Sequence, residues 1–363
     1  MKEVITFGVG EPDFKTPKHI VKYALQKIKE GETSYTSNRG LFALRKAISE
    51  YLVKRFNTCH YDPKTEILIT VGVSEAVDLV IRSITNPGDS IIIHEPCYVC
   101  YEPLIRLAGG KVIKYKTTPT NNFKIDPEKL EKIITPDTKA LITNFPCNPT
   151  GTTYDKNTLL NLLELAKKYN FYIIADELYA ELTYDTKHIS FSSLPEAKEH
   201  VILVSGFSKA FAMTGWRIGY LCAHRKIIDT MVKIHQYNIL CAPTMSQWAG
   251  YKALTSDFSS VEYMKKQYKE RRDIIFEAFV DMGLEVVKPQ GAFYIYPSIE
   301  KLKISAQEFS LKLLEDYKVA VVPGDAFGEG YENFIRCAYT LPKHLLIEGL
   351  NRIKDFVKKL NRR

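Results

Sequence analysis

The feature that most constrains this chain is a rhythm. Mostly apolar runs of strand length cover residues 66–71, 90–94, 139–143, 171–175 and 201–205, and 111–115 is extended. Stretches of helical spacing over 75–84, 127–134 and 159–169 lie between them, and glycine, proline or asparagine marks the breaks. Runs this apolar need cover on both faces, and parallel strands need long crossovers, usually helices. The pattern predicts an α/β fold: a mostly parallel central sheet with helices on both faces. Ahead of it lie an extended run over 4–9 and helices over 17–29 and 41–56. After about residue 260 the rhythm changes. A long helix over 261–282 stops at Gly283. Short strands follow over 285–287, 293–296, 319–322 and 334–338, with helices over 306–317 and 343–360. That part reads as a smaller α+β domain.

At 363 residues the chain has room for about two domains. Its 50 Lys and Arg against 42 Asp and Glu give a net charge of +8, but the basic residues are scattered. The densest group, Lys358, Lys359, Arg362 and Arg363, falls on the polar face of the last helical stretch. It reads as a solvated surface, so no nucleic-acid partner is expected. Mild basicity suits an anionic small molecule. Seven cysteines, an odd number, argue against a disulfide framework. Cys97 and Cys100 form a lone C-x-x-C without the second pair that zinc needs, so no metal is expected. No signal-peptide pattern opens the sequence, and no apolar run of about 18 residues is present to cross a membrane. A reducing cytoplasm is the expected compartment.

One lysine stands out. Residues 201–205 deliver the chain to Gly206, and Lys209 follows among Phe207, Ala210, Phe211, Ala212 and Met213. Apolar surroundings strip solvent from an ammonium and favour the neutral amine. A neutral amine is a nucleophile that forms a Schiff base with an aldehyde. Pyridoxal 5'-phosphate (PLP) is the aldehyde that fits, because Arg217 offers a guanidinium fork to a phosphate. The plainer alternative is a surface loop with two ordinary basic residues. Other polar residues sit where strands end, and ligands of such sheets lie beyond the carboxyl ends of strands. Gly72-Val73-Ser74 either turns the chain or opens a helix whose N–H groups suit a phosphate. Asp176 either caps a helix or pairs with a pyridinium nitrogen, which keeps the ring able to absorb electrons. Asn148 either builds a turn or donates to a phenolate oxygen. Tyr179, three residues after Asp176, is a second donor to that oxygen. Tyr98 either packs or lies flat on a ring. Arg336, in an apolar strand, wants a carboxylate from the protein or from a ligand.

Taken in order, Asn148-Pro149-Thr150-Gly151, Asp176-Glu177-Leu178-Tyr179 and Ser208-Lys209 through Arg217-Ile218-Gly219 resemble the class I/II aminotransferases of PLP fold type I. The stretches Gly8 to Phe14, Tyr35 to Arg45, Gly72 to Ala76 and Phe334 to Arg336 fit as well. The resemblance is to the branch of archaeal and bacterial aspartate and aromatic aminotransferases. It implies that Lys209 forms the Schiff base and shuttles the proton. Asp176 would pair with the ring nitrogen, Asn148 and Tyr179 would hold the phenolic oxygen, and Tyr98 would stack. Val73, Ser74, Ser208 and Arg217 would hold the phosphate, and Tyr35 would reach the phosphate of the neighbouring subunit in a homodimer with shared sites. Arg336, with the Gly10 backbone, would grip the substrate α-carboxylate, with Phe14 as a further pocket residue. The implied domains are a large one over 31–260 and a small one made of 1–30 and 261–363. The implied reaction is ping-pong transfer of an amino group from an aromatic amino acid or aspartate to the 2-oxo acid 2-oxoglutarate. A carbon–sulfur lyase or cyclising synthase of the same fold uses the same motifs. A ligand-sensing regulator would need an attached DNA-binding module, and the family-like region, which starts at about Gly8, leaves no room for one. Many relatives carry serine three residues before the lysine. Here that residue is Gly206, so the hydroxyl contact falls to Ser205 or Ser208.

Overall fold

The computed structural model describes residues 3–362, so Arg363 lies outside it. After β1 (Ile5–Thr6), seven strands build the central sheet: β2 (Ile67–Thr70), β3 (Ser90–Glu95), β4 (Lys111–Lys116), β5 (Thr138–Asn144), β6 (Tyr172–Asp176), β7 (Val201–Gly206) and β8 (Gly219–Cys222). Their order is β2-β8-β7-β6-β5-β3-β4, and only the pairings of β8 are antiparallel. The covered, mostly parallel α/β sheet expected from the alternation is therefore present.

The helices up to the end of the sheet are α1 (Lys18–Lys29), α2 (Phe42–Phe56), α3 (Gly72–Ile84), α4 (Tyr101–Leu107), α5 (Pro127–Glu131), α6 (Lys156–Tyr169), α7 (Arg225–Asn238) and α8 (Thr244–Thr255). Successive strand residues point to opposite faces. Ile91 and Ile93 of β3 pack with Val77, Val80 and Ile105 of α3 and α4 on one side. Ile92 packs with Leu159 and Leu163 of α6 on the other. Three helices escaped the sequence reading for identifiable reasons. Pro103 interrupts the pattern of α4. Among the charges of α7 only Ile228, Met231 and His235 are buried. The buried side of α8 is largely small or polar, including Thr244, Ser246, Gln247 and Gly250.

The remaining elements are α9 (Ser259–Asp281), β9 (Tyr294–Ile295), α10 (Ala306–Tyr317), β10 (Val319–Ala320), β11 (Val322–Pro323), β12 (Ile335–Ala338) and α11 (Lys343–Asn361). The strand expected over 319–322 is two strands. Val319 and Ala320 pair in parallel with β1, whereas β11 pairs antiparallel with β12, whose other edge takes β9. Pro323, with no N–H to donate, closes that short ladder. Residues 285–287 form no strand; one isolated bridge joins Glu285 to Ser298. The segment before residue 31 divides between two cores. β1 joins β10, but α1 buries Ile20 and Ala24 in a cluster with Leu44, Ile48 and Ala249 of α2 and α8. Its apolar stripe meets helices of the large sheet's side, not the small sheet. Lys358, Lys359 and Arg362 are exposed, as a solvated helix end requires. No helix among the described residues is long and apolar enough to cross a membrane.

Candidate active site

A cavity of about 460 Å³ lies beyond the carboxyl ends of β2, β3, β5, β6 and β7. The small sheet closes it with Tyr294 of β9 and Arg336 of β12, and the N-terminal segment adds Gly10 and Glu11. Of the residues singled out from sequence, Gly10, Val73, Ser74, Tyr98, Asn148, Asp176, Tyr179, Ser208, Lys209, Arg217 and Arg336 all line this one space.

Lys209 leaves β7 in a strained loop. Ala212 and Arg217, on either side of the turn, both hold a positive φ, 50° and 49°. Such conformations in residues other than glycine concentrate at functional sites. The Lys209 ammonium donates to the carbonyl of Gly10 at 2.7 Å. Burial lowers its pKa to about 8, and Arg217 and Arg336 push in the same direction, while Glu11 opposes. Near neutrality a useful fraction of this lysine is therefore the free amine that the sequence reading required.

Asp176, the last residue of β6, is 4% exposed. Tyr101 donates its hydroxyl to Oδ2 at 2.6 Å, and the Leu178 N–H donates to Oδ1 at 3.2 Å. Burial raises the carboxyl to about 6, against the pull of those two donors. Asn144, at the end of β5, links its neighbours: its amide donates to the Asp176 carbonyl at 3.1 Å, and its Oδ1 accepts the Asn148 N–H at 2.8 Å. Tyr179 is buried, and its hydroxyl meets that of Tyr294 at 2.8 Å.

The N-terminus of α3 forms the opposite wall, with the N–H groups of its first turn free of intrahelical partners. Gly72 has φ +75°, and a Cβ there would stand 2.5 Å from Nη2 of Arg217. At Gly219 it would stand 2.8 Å from the Val73 nitrogen. The two glycines let a helix end and a guanidinium approach each other, which is a cradle for a dianion. Gly206 has a matching explanation: a Cβ would stand 2.9 Å from Cγ2 of Val73, so no side chain fits. The Ser205 hydroxyl turns to the Glu177 carbonyl at 3.4 Å, which leaves Ser208 as the hydroxyl in the cavity.

Arg336 is 7% exposed. Nη1 donates to Oδ1 of Asn148 at 3.0 Å and Nη2 to the Gly8 carbonyl at 2.6 Å, while Nε is buried without a partner. Those partners are an amide and a carbonyl, not a carboxylate. Its ring neighbours are Tyr294 and Phe327, at 4.7 and 4.8 Å. A buried guanidinium left with donors to spare is suited to a carboxylate arriving from outside.

Two expected residues stand elsewhere. Phe14 packs edge-on against Tyr263 and Tyr268, with the Arg271 guanidinium 5.2 Å over its ring, so it does not face the cavity. Tyr35 is 82% exposed on an outer loop, away from this chain's own cavity. The sequence reading missed Tyr101, Asn144 and Tyr294. The rule that ligands gather at strand carboxyl ends points to Asn144. Tyr101 opens a helix that went unrecognised, and nothing local marks Tyr294. Among the described residues no group of three or more His, Cys, Asp or Glu is placed to hold a metal.

Residues 2–353 match the family model described as aminotransferase class I and II. The chain is 42% identical to an aspartate aminotransferase of Pyrococcus abyssi, covering 99% of this chain and 92% of the relative. It is 39% identical to aromatic-amino-acid aminotransferase 2 of Thermococcus litoralis, covering 98% and 92%. The crystal structure of an aromatic aminotransferase from Pyrococcus horikoshii superposes with a TM-score of 0.96 at 40% identity, covering 99% and 97%. Alike in sequence and in fold along nearly its whole length, the chain belongs to the family of class I and II aminotransferases.

Proposed function

We propose that this aminotransferase uses PLP to take the amino group of an aromatic L-amino acid or aspartate and passes it to 2-oxoglutarate in a ping-pong cycle. The observation that carries the reading is the cavity itself. One space holds a lysine amine with its pKa lowered to about 8, a buried carboxylate and two arginines in different settings.

The residues present fit the cofactor. The glycine-lined cradle of α3 and Arg217, with Ser208, suits its phosphate. Asp176 suits its ring nitrogen, and Asn148 and Tyr179 its phenolic oxygen. Tyr98, 37% exposed on the cavity wall, offers a ring to stack on. When bound, PLP supplies an electron sink for the substrate α-carbon. The protein supplies the rest. Arg336 binds the substrate α-carboxylate, aligned by Asn148 and the Gly8 carbonyl. Lys209 would hold the cofactor, and its free amine would move a proton at the substrate α-carbon. Its lowered pKa places it near the operating pH, where a general base works best.

Substrate breadth follows from what the cavity lacks. The cations that line it are Lys209, Arg217 and Arg336, each with a role already. The stretch 232–250 contains no arginine either. A distal carboxylate must then rely on hydroxyl and amide donors, so a dicarboxylate should be only modestly preferred, by about 10- to 200-fold. The test is kcat/KM for phenylalanine, tyrosine, kynurenine, aspartate and alanine with 2-oxoglutarate held constant. An aspartate preference above about a thousandfold, over 4 kcal/mol, would reveal a further cation in the substrate pocket.

We further infer a homodimer with shared sites. The Tyr35 loop is tied to α7 and α8: Asn38 donates to Gln236, Thr244 to the Ser34 carbonyl and Gln247 to Thr36. These joined segments leave Tyr35, Phe42, Tyr237, Leu240 and Met245 exposed. Large apolar side chains left open on segments bonded to the Tyr35 loop are suited to burial against a partner. Mixing inactive Lys209→Ala protein with an inactive Tyr35→Ala variant is expected to restore up to about a quarter of full activity, through hybrid dimers with one intact site. Light scattering that finds a fully active monomer would end this proposal. The seven free cysteines support a reducing compartment such as the cytoplasm.

A further inference from the structure

Tyr101 touches two walls of the cavity. It is 1% exposed and is the first residue of α4. Its N–H donates to the Tyr98 carbonyl at 3.3 Å, which closes a turn around both tyrosines. Its ring stands edge-on to that of Tyr98, with centroids 5.8 Å apart and planes at 84°. Its hydroxyl donates to Oδ2 of Asp176 at 2.6 Å.

We propose that Tyr101 is a positioning residue that holds Asp176 as an aimed carboxylate for the ring nitrogen and fixes Tyr98 for stacking in the same turn. This inference rests on the PLP reading. A carboxylate serves a pyridinium only when it is ionised and correctly turned. With Leu178 on Oδ1 and Tyr101 on Oδ2, both oxygens are pinned by donors, and the carboxylate cannot rotate without losing one. The titratable groups facing Asp176 are Tyr98, Cys100 and Tyr101 at the start of α4, Cys147 and Tyr179 beyond β5 and β6, the adjacent Glu177 and Lys209 of the loop after β7. Cys100, beside Tyr101, is itself pushed up to about 12 by burial and by Asp176, so its thiol does not compete as an anion. Burial and the neighbouring Asp176 charge likewise push the Tyr101 hydroxyl well above its ordinary range, so it remains a donor throughout the working pH range.

A merely structural tyrosine would need an acceptor too, and Asp176 would serve. The two roles differ in what they move. Tyr101→Phe keeps the ring, the packing and the edge-on contact, and deletes one donor. In cofactor-free protein carrying 13C-carboxyl aspartate, the Asp176 signal is assigned by its loss in Asp176→Asn. Its titration midpoint is expected to rise by about one pH unit in Tyr101→Phe, a tenfold change in proton affinity. The dissociation constant for PLP should rise about tenfold, while that of the analogue with carbon in place of the ring nitrogen stays within about twofold. An unmoved midpoint, or equal weakening of both compounds, overturns the proposal. If the wild type binds neither compound, the PLP reading fails, while the titration still decides whether Tyr101 holds Asp176. A second variant, Tyr101→Leu, guards against a folding artefact: it should raise the midpoint as Tyr101→Phe does, and an unchanged midpoint there also counts against the proposal.

Discussion

Lys209→Ala should lose amino transfer by a factor on the order of 10⁴ or more, since it removes the amine proposed as both covalent anchor and base. Borohydride should no longer fix PLP to the chain. Stopped turnover with retained covalent trapping would show that another lysine is the anchor. The pH dependence is set by burial. The amine is neutral above about pH 8 and protonated below it. Covalent capture of PLP by cofactor-free enzyme should therefore speed up about tenfold per unit as pH rises toward 8, then level off. Stability changes with the same sign. The folded-state pKa lies below the unfolded value of about 10.4, so between the two the unfolded chain binds more protons. Stability of the cofactor-free protein should rise across that window by roughly 3 kcal/mol, and the rise should be missing in Lys209→Ala.

Asp176→Asn should lower kcat by about 10²- to 10³-fold, the usual scale for removing one preorganised charge from a reacting centre, with little change in KM. The amide keeps the shape but cannot hold a pyridinium proton in place. Near-native kcat would refute the role. Here too the protons give a second check, with the opposite sign. Burial raises the folded carboxyl to about 6, above the unfolded value of about 3.9. Between those values the folded protein binds the extra proton. Stability of the cofactor-free protein should therefore fall as pH rises through this window, by roughly 3 kcal/mol, and Asp176→Asn should abolish the fall. Both slopes can be read from Tm against pH, and bound PLP should reduce them by pairing with both groups.

Most of the site was legible because its residues break local rules in local places. A lysine in an apolar loop, an arginine in an apolar strand and a carboxylate ending a run of Tyr-Ile-Ile-Ala each contradict their surroundings, and such contradictions concentrate at functional sites. The strand–helix alternation likewise prescribed the central sheet, because period and length are properties of neighbouring residues. The helices α7 and α8 were hidden because their buried sides carry histidine, threonine and glutamine, which bond to Glu75, Ser34 and Thr36 far off in sequence. Gln247, for example, is buried with bonds to Thr36 and the Leu41 N–H, about 200 positions away, as well as to the Ala242 carbonyl.

By itself the sequence determined the periodic elements, the strand-end placement of Asp176, Asn148 and Lys209, and the family to which they belong. Only the tertiary structure decided that Tyr101 bonds to Asp176 and that Tyr294 meets Tyr179. It alone removed Phe14 from the cavity and sent the Ser205 hydroxyl to Glu177. The reason is range. Pattern and propensity act over a few residues, whereas a side chain's partner is fixed by which elements pack together. Tyr294 reaches Tyr179 across 115 positions of the chain, and no local rule spans that distance.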